Sequence, residues 1–176
     1  MYIRKLKLED AKSMLEWMHD ESVTKYLKKD FSSLTLKDCE SFILKSISDY
    51  KKLDDAPKND ISINMAIVSD DDLYQGTVSL KNIDFKSKDA EFAITTCAKV
   101  HGKGYAQYAM KWIMEFAFNS LSLNKVYWNC STQNSRAFKF YLKLFGRIMD
   151  FHIEENNNES LVIFFITRNE FFKYYG

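Results

Sequence analysis

The spacing of the apolar residues changes from a helical to a strand period partway along the chain, and this change constrains the fold more than any other sequence feature. Between residues 10 and 50, apolar side chains recur every three or four positions, as in amphipathic helices. After a loop sequence at 54–60, DDAPKND, they recur every second position in three successive segments. These segments are 61–69, 74–83 and 90–100. Because the turn sequences 70–72 and 86–89 separate them, we predict three strands in an antiparallel meander.

The second half of the chain alternates helices and strands. The predicted elements are a helix from 105 to about 120, a strand at 125–132, a helix at 135–145 and a hairpin of strands at 149–155 and 159–167. With a short strand at 2–8, the predicted order is β-α-α-β-β-β-α-β-α-β-β. The strand–helix–strand unit over 90–131 predicts one parallel strand pair inside an α+β fold.

Length and composition limit the class of protein. A chain of 176 residues can bury a full core, and we predict a single domain over 1–176. Apolar residues make up 46% of it, which excludes a disordered chain, and the net charge of +1 lacks the basic surplus typical of general nucleic-acid binding. No stretch is apolar enough for a membrane span or a signal core. We therefore expect a cytoplasmic protein that binds neither nucleic acid nor membrane.

The cysteines and histidines show no metal-binding pattern. Cys39, Cys97 and Cys130 are odd in number and widely spaced, without a CxxC or Cys/His cluster, and the three histidines are equally scattered. We therefore predict reduced thiols and no metal.

Residues 101–106, His-Gly-Lys-Gly-Tyr-Ala, are the strongest candidate for a ligand site because they join a strand to a long helix. Two glycines let the backbone turn tightly and present its N–H groups without a Cβ in the way. The helix adds its unpaired first N–H groups and the positive end of its dipole. The pattern predicts either an anion site suited to a diphosphate or a plain turn before a buried helix. It matches neither GxxxxGK[ST] nor the full GxGxxG pattern.

In its wider context this hexamer resembles the acyl-CoA pyrophosphate loop, Gln/Arg-x-x-Gly-x-Gly/Ala, of the GNAT N-acetyltransferase superfamily. Ala90-Glu91-Phe92 is similar to the start of that family's "AEIGY" strand, and the segment from Asn134 to Tyr141 is similar to its N-x-x-S/A-x-x-x-Y segment. The resemblance covers essentially the whole chain, in a layout similar to the ribosomal-protein-acetylating branch. His101 departs from the usual Gln or Arg, and Leu-Phe-Gly at 144–146 inverts the usual Leu-Gly-Phe.

The resemblance implies the GNAT fold, a mixed and mostly antiparallel twisted sheet of about seven strands with splayed central strands, flanked by about four helices. It also implies acetyl-CoA as the acyl donor and no metal. Main-chain groups of Ile94, Thr95 and Thr96 would pair with the pantetheine arm. The pyrophosphate would bind the loop residues His101, Gly102, Lys103, Gly104, Tyr105 and Ala106. Asn134 would reach the cofactor from the other side.

Acetyl transfer from a thioester to an amine needs a base for the amine and an acid for the leaving thiolate. The resemblance implies Tyr141 as the acid and Glu91, through a water, as the base, with a backbone N–H near Ile94 facing the oxyanion. From the residues alone, Tyr141 is also readable as a core aromatic and Glu91 as a carboxylate on a strand surface.

The implied activity is acetyl-CoA-dependent transfer of an acetyl group to a primary amine of a small molecule, in a bacterial protein that is compatible with a homodimer. One alternative acceptor is an amino-sugar nucleotide, and another is a protein N-terminus or ribosomal protein. A third hypothesis, which the departure at His101 favours, is a catalytically silent domain that binds acyl-CoA.

The region between the first two predicted helices leaves the acceptor open. Asp20-Glu21 and Asp30 would favour a cationic amine. Lys25, Lys28 and Lys29 lie on a predicted solvated face and would instead favour the phosphates of a nucleotide-linked substrate.

Overall fold

The computed structural model describes residues 1–55, 61–156 and 159–175, and within these ranges it contains seven strands and six helices. The strands are β1 (Tyr2–Lys5), β2 (Ile61–Val68), β3 (Tyr74–Asp84), β4 (Asp89–Thr96), β5 (Lys125–Ser131), β6 (Asp150–Asn156) and β7 (Glu159–Thr167). The helices are α1 (Asp10–Met18), α2 (Glu21–Thr24), α3 (Leu36–Asp55), α4 (Tyr105–Glu115), α5 (Ser135–Phe145) and α6 (Arg168–Tyr175). Within the described ranges, no helix is long and apolar enough to cross a membrane. Residues 56–60 of the predicted loop and 157–158 of the predicted hairpin turn lie outside the described residues.

The strands form one sheet in the order β1-β2-β3-β4-β5-β7-β6. Neighbouring strands are antiparallel except for β4 and β5, which run parallel and are connected through α4. Placing β7 between β5 and β6 follows from the hairpin, because β7 pairs with β6 along one edge and with β5 along the other. The predicted meander, hairpin and parallel pair are confirmed, and with them the mixed sheet of the α+β fold.

Helices cover both faces of this sheet. On one face α4, α5 and α6 enclose a core that includes Phe92 and Ile113. On the other face α1 and α3 pack over β2 and β3, with Met14 and Ile43 fully buried. Because successive side chains of a strand point to opposite faces, Glu91 lies on the face opposite its neighbour Phe92.

The structure adds two helices, α2 and α6, to those predicted. α6 begins with a capping box, in which the backbone N–H and the hydroxyl of Thr167 donate to Glu170 Oε2 at 2.9 and 2.6 Å. The Thr-x-x-Glu spacing of that box is a signal in the sequence that predicts a helix start. α2 is a single turn capped by Asp20, whose Oδ1 accepts from the N–H of Ser22 at 2.9 Å, and it is too short to show a helical period.

Several predicted boundaries also move. The strand predicted over 90–100 ends at Thr96 and is followed by a 3₁₀ turn, Ala98–Val100. Cys97 and Val100 are buried in the core beneath α1 and α3, and this burial gave the turn an apolar pattern like that of a strand. β1 ends earlier than predicted, α3 continues to Asp55 where the apolar pattern predicted a helix from a cap at Thr35 to about Tyr50, and α4 is followed by a π-helical turn at Phe116–Ser120.

Candidate active site

A crevice opens where the two parallel strands separate. β4 and β5 pair only over Asp89–Glu91 and 125–127, after which β4 follows β3 to Thr96 and β5 follows β7 to Ser131. Beyond the last pair, Glu91 and Tyr127, the facing edges of both strands carry N–H and C=O groups that no neighbouring strand pairs. Such a crevice at the carboxyl ends of parallel strands is a general ligand-binding position in α/β sheets.

The glycine loop, residues 101–106, lies at the mouth of this crevice. Gly102 and Gly104 have φ angles of +76° and +85°, a left-handed conformation that residues with a Cβ rarely adopt. A Cβ at either position would meet nothing within 4 Å, so the surface above the loop is open. The N–H of Lys103 donates to Val100 O at 3.2 Å and is therefore used within the turn. Tyr105 and Ala106 begin α4, where the first N–H groups have no partner inside the helix.

His101 joins the loop to both walls of the crevice. Its Nε2 lies 3.1 Å from the backbone oxygen of Thr96, at the end of β4. Its Nδ1 lies 3.0 Å from Nη1 of Arg136, in the first turn of α5. The sequence prediction did not include Arg136, because the two side chains are 35 residues apart and no local pattern connects them.

Asn134, predicted to reach the cofactor, caps α5. Its side-chain oxygen accepts from the N–H of Ala137 at 3.1 Å, which is the usual role of Asn at a helix start. The oxygen is therefore held by the helix, and contact of Asn134 with the cofactor stays a prediction.

Tyr141 lies in an aromatic cluster on the α4–α5 face of the sheet. It is 7% exposed, and its ring centroid lies 5.6 Å from that of Trp128 and 5.3 Å from that of Phe164. Burial raises the pKa of the Tyr141 hydroxyl, so this group stays protonated at neutral pH. The neighbouring indole N–H of Trp128 is buried and has no hydrogen-bond partner among the described residues.

Glu91 lies on the last paired position of β4, opposite Lys81 of β3 and Tyr127 of β5. It is half-buried, and Asn82 Nδ2 donates to its Oε2 at 3.1 Å. Burial and the carboxylates of Glu91 and Asp89 raise the pKa of Tyr127. Glu91 and Tyr141 therefore lie on opposite faces of the sheet.

A cavity of about 380 Å³ lies between the end of α1, α2 and the segment before α3. Two of the acidic residues predicted there are held in turns. Asp20 caps α2, and Asp30 accepts from the N–H and the hydroxyl of Ser32, which lowers the pKa of Asp30. Glu21 also lines the cavity, as do Lys25 and Lys29.

The thiols do not add a nucleophile to this site. Burial raises the pKa of Cys130 to about 11 and also raises that of Cys97, so both stay protonated at neutral pH. In the part of the chain that the structure describes, no group of three or more His, Cys, Asp or Glu side chains is arranged to hold a metal ion.

Comparison with known proteins gives a consistent picture. Residues 1–144 match the family model described as an acetyltransferase (GNAT) domain. The chain is 30% identical over 142 residues to spermidine N(1)-acetyltransferase from Escherichia coli K12, covering 81% of this chain and 70% of the relative. It is 26% identical over 165 residues to the uncharacterized N-acetyltransferase p20 of Bacillus licheniformis, covering 86% and 89%. The crystal structure of spermidine N-acetyltransferase from Vibrio cholerae in complex with CoA and spermine superposes with a TM-score of 0.79, at 18% identity and 97% coverage of both chains.

Gly76 is a further residue that the site requires and that the sequence prediction did not include. It lies opposite Thr96, and an added Cβ would be 2.3 Å from the backbone oxygen of Thr95 and 2.9 Å from the Cα of Thr96. The end of β4 keeps its position because this close approach to β3 is available.

We predict that Gly76→Ala forces β3 and β4 apart and lowers the free energy of unfolding by about 1–3 kcal/mol. Urea denaturation measures this loss, and calorimetry of the folded variant should show weaker acetyl-CoA binding. Leu73→Ala, at a position that is 60% exposed, is the control and should change stability by less than about 0.5 kcal/mol. Wild-type stability and affinity of Gly76→Ala would contradict this role.

Proposed function

The chain belongs to the GNAT acetyltransferase family, and from this membership we propose that it transfers the acetyl group of acetyl-CoA to a primary amine of a small polyamine. The family resemblance seen in the sequence is confirmed, as is acetyl-CoA as the donor. The choice of a polyamine is supported by the names of two of the similar proteins, from Escherichia coli and Vibrio cholerae, which are spermidine N-acetyltransferases.

The observation that carries the proposal is the crevice between β4 and β5 with a glycine loop at its mouth. The unpaired edge of Ile94–Thr96 is suited to the amides of a pantetheine arm, which needs the N–H and C=O partners that a neighbouring strand would otherwise supply. The open surface over Gly102 and Gly104, next to the start of α4, is suited to a diphosphate. The strand edge suited to the pantetheine arm is followed along the chain by the loop suited to the diphosphate. The pantetheine arm and the diphosphate are likewise adjacent in CoA.

The proposed chemistry divides between the two faces of the sheet. Acetyl-CoA supplies the thioester whose acetyl group moves to the amine. Glu91 takes a proton from the acceptor amine through a water, and the N–H of Ile94 stabilises the negative charge that develops on the carbonyl oxygen. Tyr141 keeps its proton at neutral pH and donates it toward the departing sulfur. Attack of the amine forms the C–N bond on the Glu91 side and places the negative charge on the oxygen, and collapse of this adduct breaks the C–S bond on the Tyr141 side.

The cavity between the end of α1, α2 and the segment before α3, the α1–α3 cavity, carries charges of both signs. These charges are compatible with two classes of acceptor. Glu21 is a carboxylate that suits a second ammonium group of a polyamine. Lys25 and Lys29 line the same cavity and suit the phosphates of a nucleotide-linked amino sugar, which is therefore the second candidate.

The deciding experiment is an assay for release of the free CoA thiol with a panel of amines. We expect spermidine and spermine to cause release from acetyl-CoA. Release with only an amino-sugar nucleotide or an N-terminal peptide would replace the polyamine by that acceptor. Binding of acetyl-CoA by calorimetry without release for any amine would indicate a silent acyl-CoA-binding domain.

We predict that Tyr141→Phe lowers turnover by roughly 10²–10⁴ with little change in the KM for acetyl-CoA, because the variant lacks the proton donor and keeps the packing. Steady-state kinetics measures the effect, and the melting temperature should stay close to that of the wild type. Tyr174→Phe, on the exposed side of α6, is the matched control. Wild-type turnover in Tyr141→Phe would assign this hydroxyl to the core alone.

We predict that the turnover of Glu91→Gln is reduced most at low pH and is partly restored at high pH. An alkylamine with a pKa near that of lysine, about 10.4, is mostly an ammonium at neutral pH and needs a base, whereas free amine is abundant at high pH. The pH profile of kcat measures this, with Glu115→Gln, at the exposed last residue of α4, as the control. A raised KM for the amine with unchanged kcat would mean that Glu91 only positions the substrate.

A further inference from the structure

We infer that Arg136 binds the diphosphate of acyl-CoA from the α5 wall of the crevice, opposite the glycine loop. This inference rests on the proposed function. It adds a cation to the site at a position outside the loop motif, on the second strand–helix junction.

The hydrogen bonds of His101 define how Arg136 is held. A guanidinium has only N–H donors, so at the 3.0 Å contact His101 Nδ1 must be the acceptor. The ring proton is then on Nε2, which donates to the Thr96 oxygen at 3.1 Å. Both ring nitrogens of His101 are thus occupied by protein partners, and neither is free to contact a phosphate. The role of His101 in this arrangement is to position Arg136.

Arg136 keeps its own charge available. Its side chain is exposed, and among the described residues no carboxylate lies within ion-pair distance of it. One N–H is directed to His101, and the other donors of the guanidinium have no protein acceptor among the described residues. A guanidinium binds phosphate oxygens through two parallel N–H bonds, so a diphosphate on the glycine loop would find this group directly beside it.

This placement also accounts for the departure from the family motif at position 101. Where the motif has a long Gln or Arg side chain on the loop, this chain has a shorter histidine that reaches back to β4. The cation comes instead from α5, and the His101–Arg136 contact keeps it at the mouth of the crevice.

The test is calorimetry with CoA and with dephospho-CoA, which has the diphosphate and lacks the 3′-phosphate. We expect Arg136→Ala to raise the Kd for both ligands by about tenfold, which is the loss expected for one charge-assisted hydrogen-bonded contact. Arg136→Lys should recover part of that affinity. Lys139→Ala removes an equally exposed charge one turn along α5 and should change either Kd by less than about twofold. A loss confined to CoA would overturn the diphosphate assignment, and wild-type affinity for both ligands would overturn the role altogether.

A double-mutant cycle tests the positioning role of His101. We expect His101→Ala to weaken CoA binding in the wild-type background and to have little effect in the Arg136→Ala background, because the two side chains act as one unit. If the two substitutions weaken CoA binding independently, so that their effects on Kd multiply in the double variant, the coupling is contradicted. Failure of the proposed function is distinguishable, because it is measured as absence of thiol release by the wild-type protein, whereas failure of the Arg136 role is measured as unchanged ligand affinity in Arg136→Ala.

Discussion

The short parallel contact between β4 and β5 is the constraint on which the rest of this structure depends. The two strands share three paired residues each and then follow different antiparallel neighbours, so that they separate while remaining in one sheet. A parallel pair requires a crossover, here α4, and both strands lead into a helix at the same end of the sheet. The glycine loop and the start of α5 therefore converge because of how the strands pair, and the His101–Arg136 contact is a consequence of that pairing.

The alternation of side chains along β4 separates the two candidate catalytic groups. Phe92 packs on Trp128 in an edge-to-face contact at 5.9 Å, on the face that also buries Tyr141. Glu91, one position earlier, is on the other face, where Asn82 donates to it. A carbonyl in the crevice would have the proposed base on one side and the proposed proton donor on the other. In this arrangement the attacking amine and the departing thiolate are on different sides of the carbonyl and do not compete for the same space.

Packing and chemistry make compatible demands on Tyr141. The aromatic cluster that buries its ring also raises the pKa of its hydroxyl, which favours the protonated form that an acid must have. The acceptor region is organised differently, by local side-chain caps such as those of Asp20 and Asp30 rather than by aromatic packing. These caps hold the segments around the α1–α3 cavity in place and reduce the number of carboxylates free to meet a substrate.

The sequence by itself determined the seven strands, four of the six helices of the described residues, the fold class and the family, because apolar periodicity, glycine positions and the Asn134–Tyr141 spacing are local patterns. It also placed the candidate residues on their strands and helices. The tertiary structure alone decided where β4 leaves β5, why Gly76 must lack a side chain opposite Thr96, and that Arg136 reaches His101. These features join residues 20 to 36 positions apart, and a contact across strands depends on register and sheet order, which no local pattern in the chain encodes.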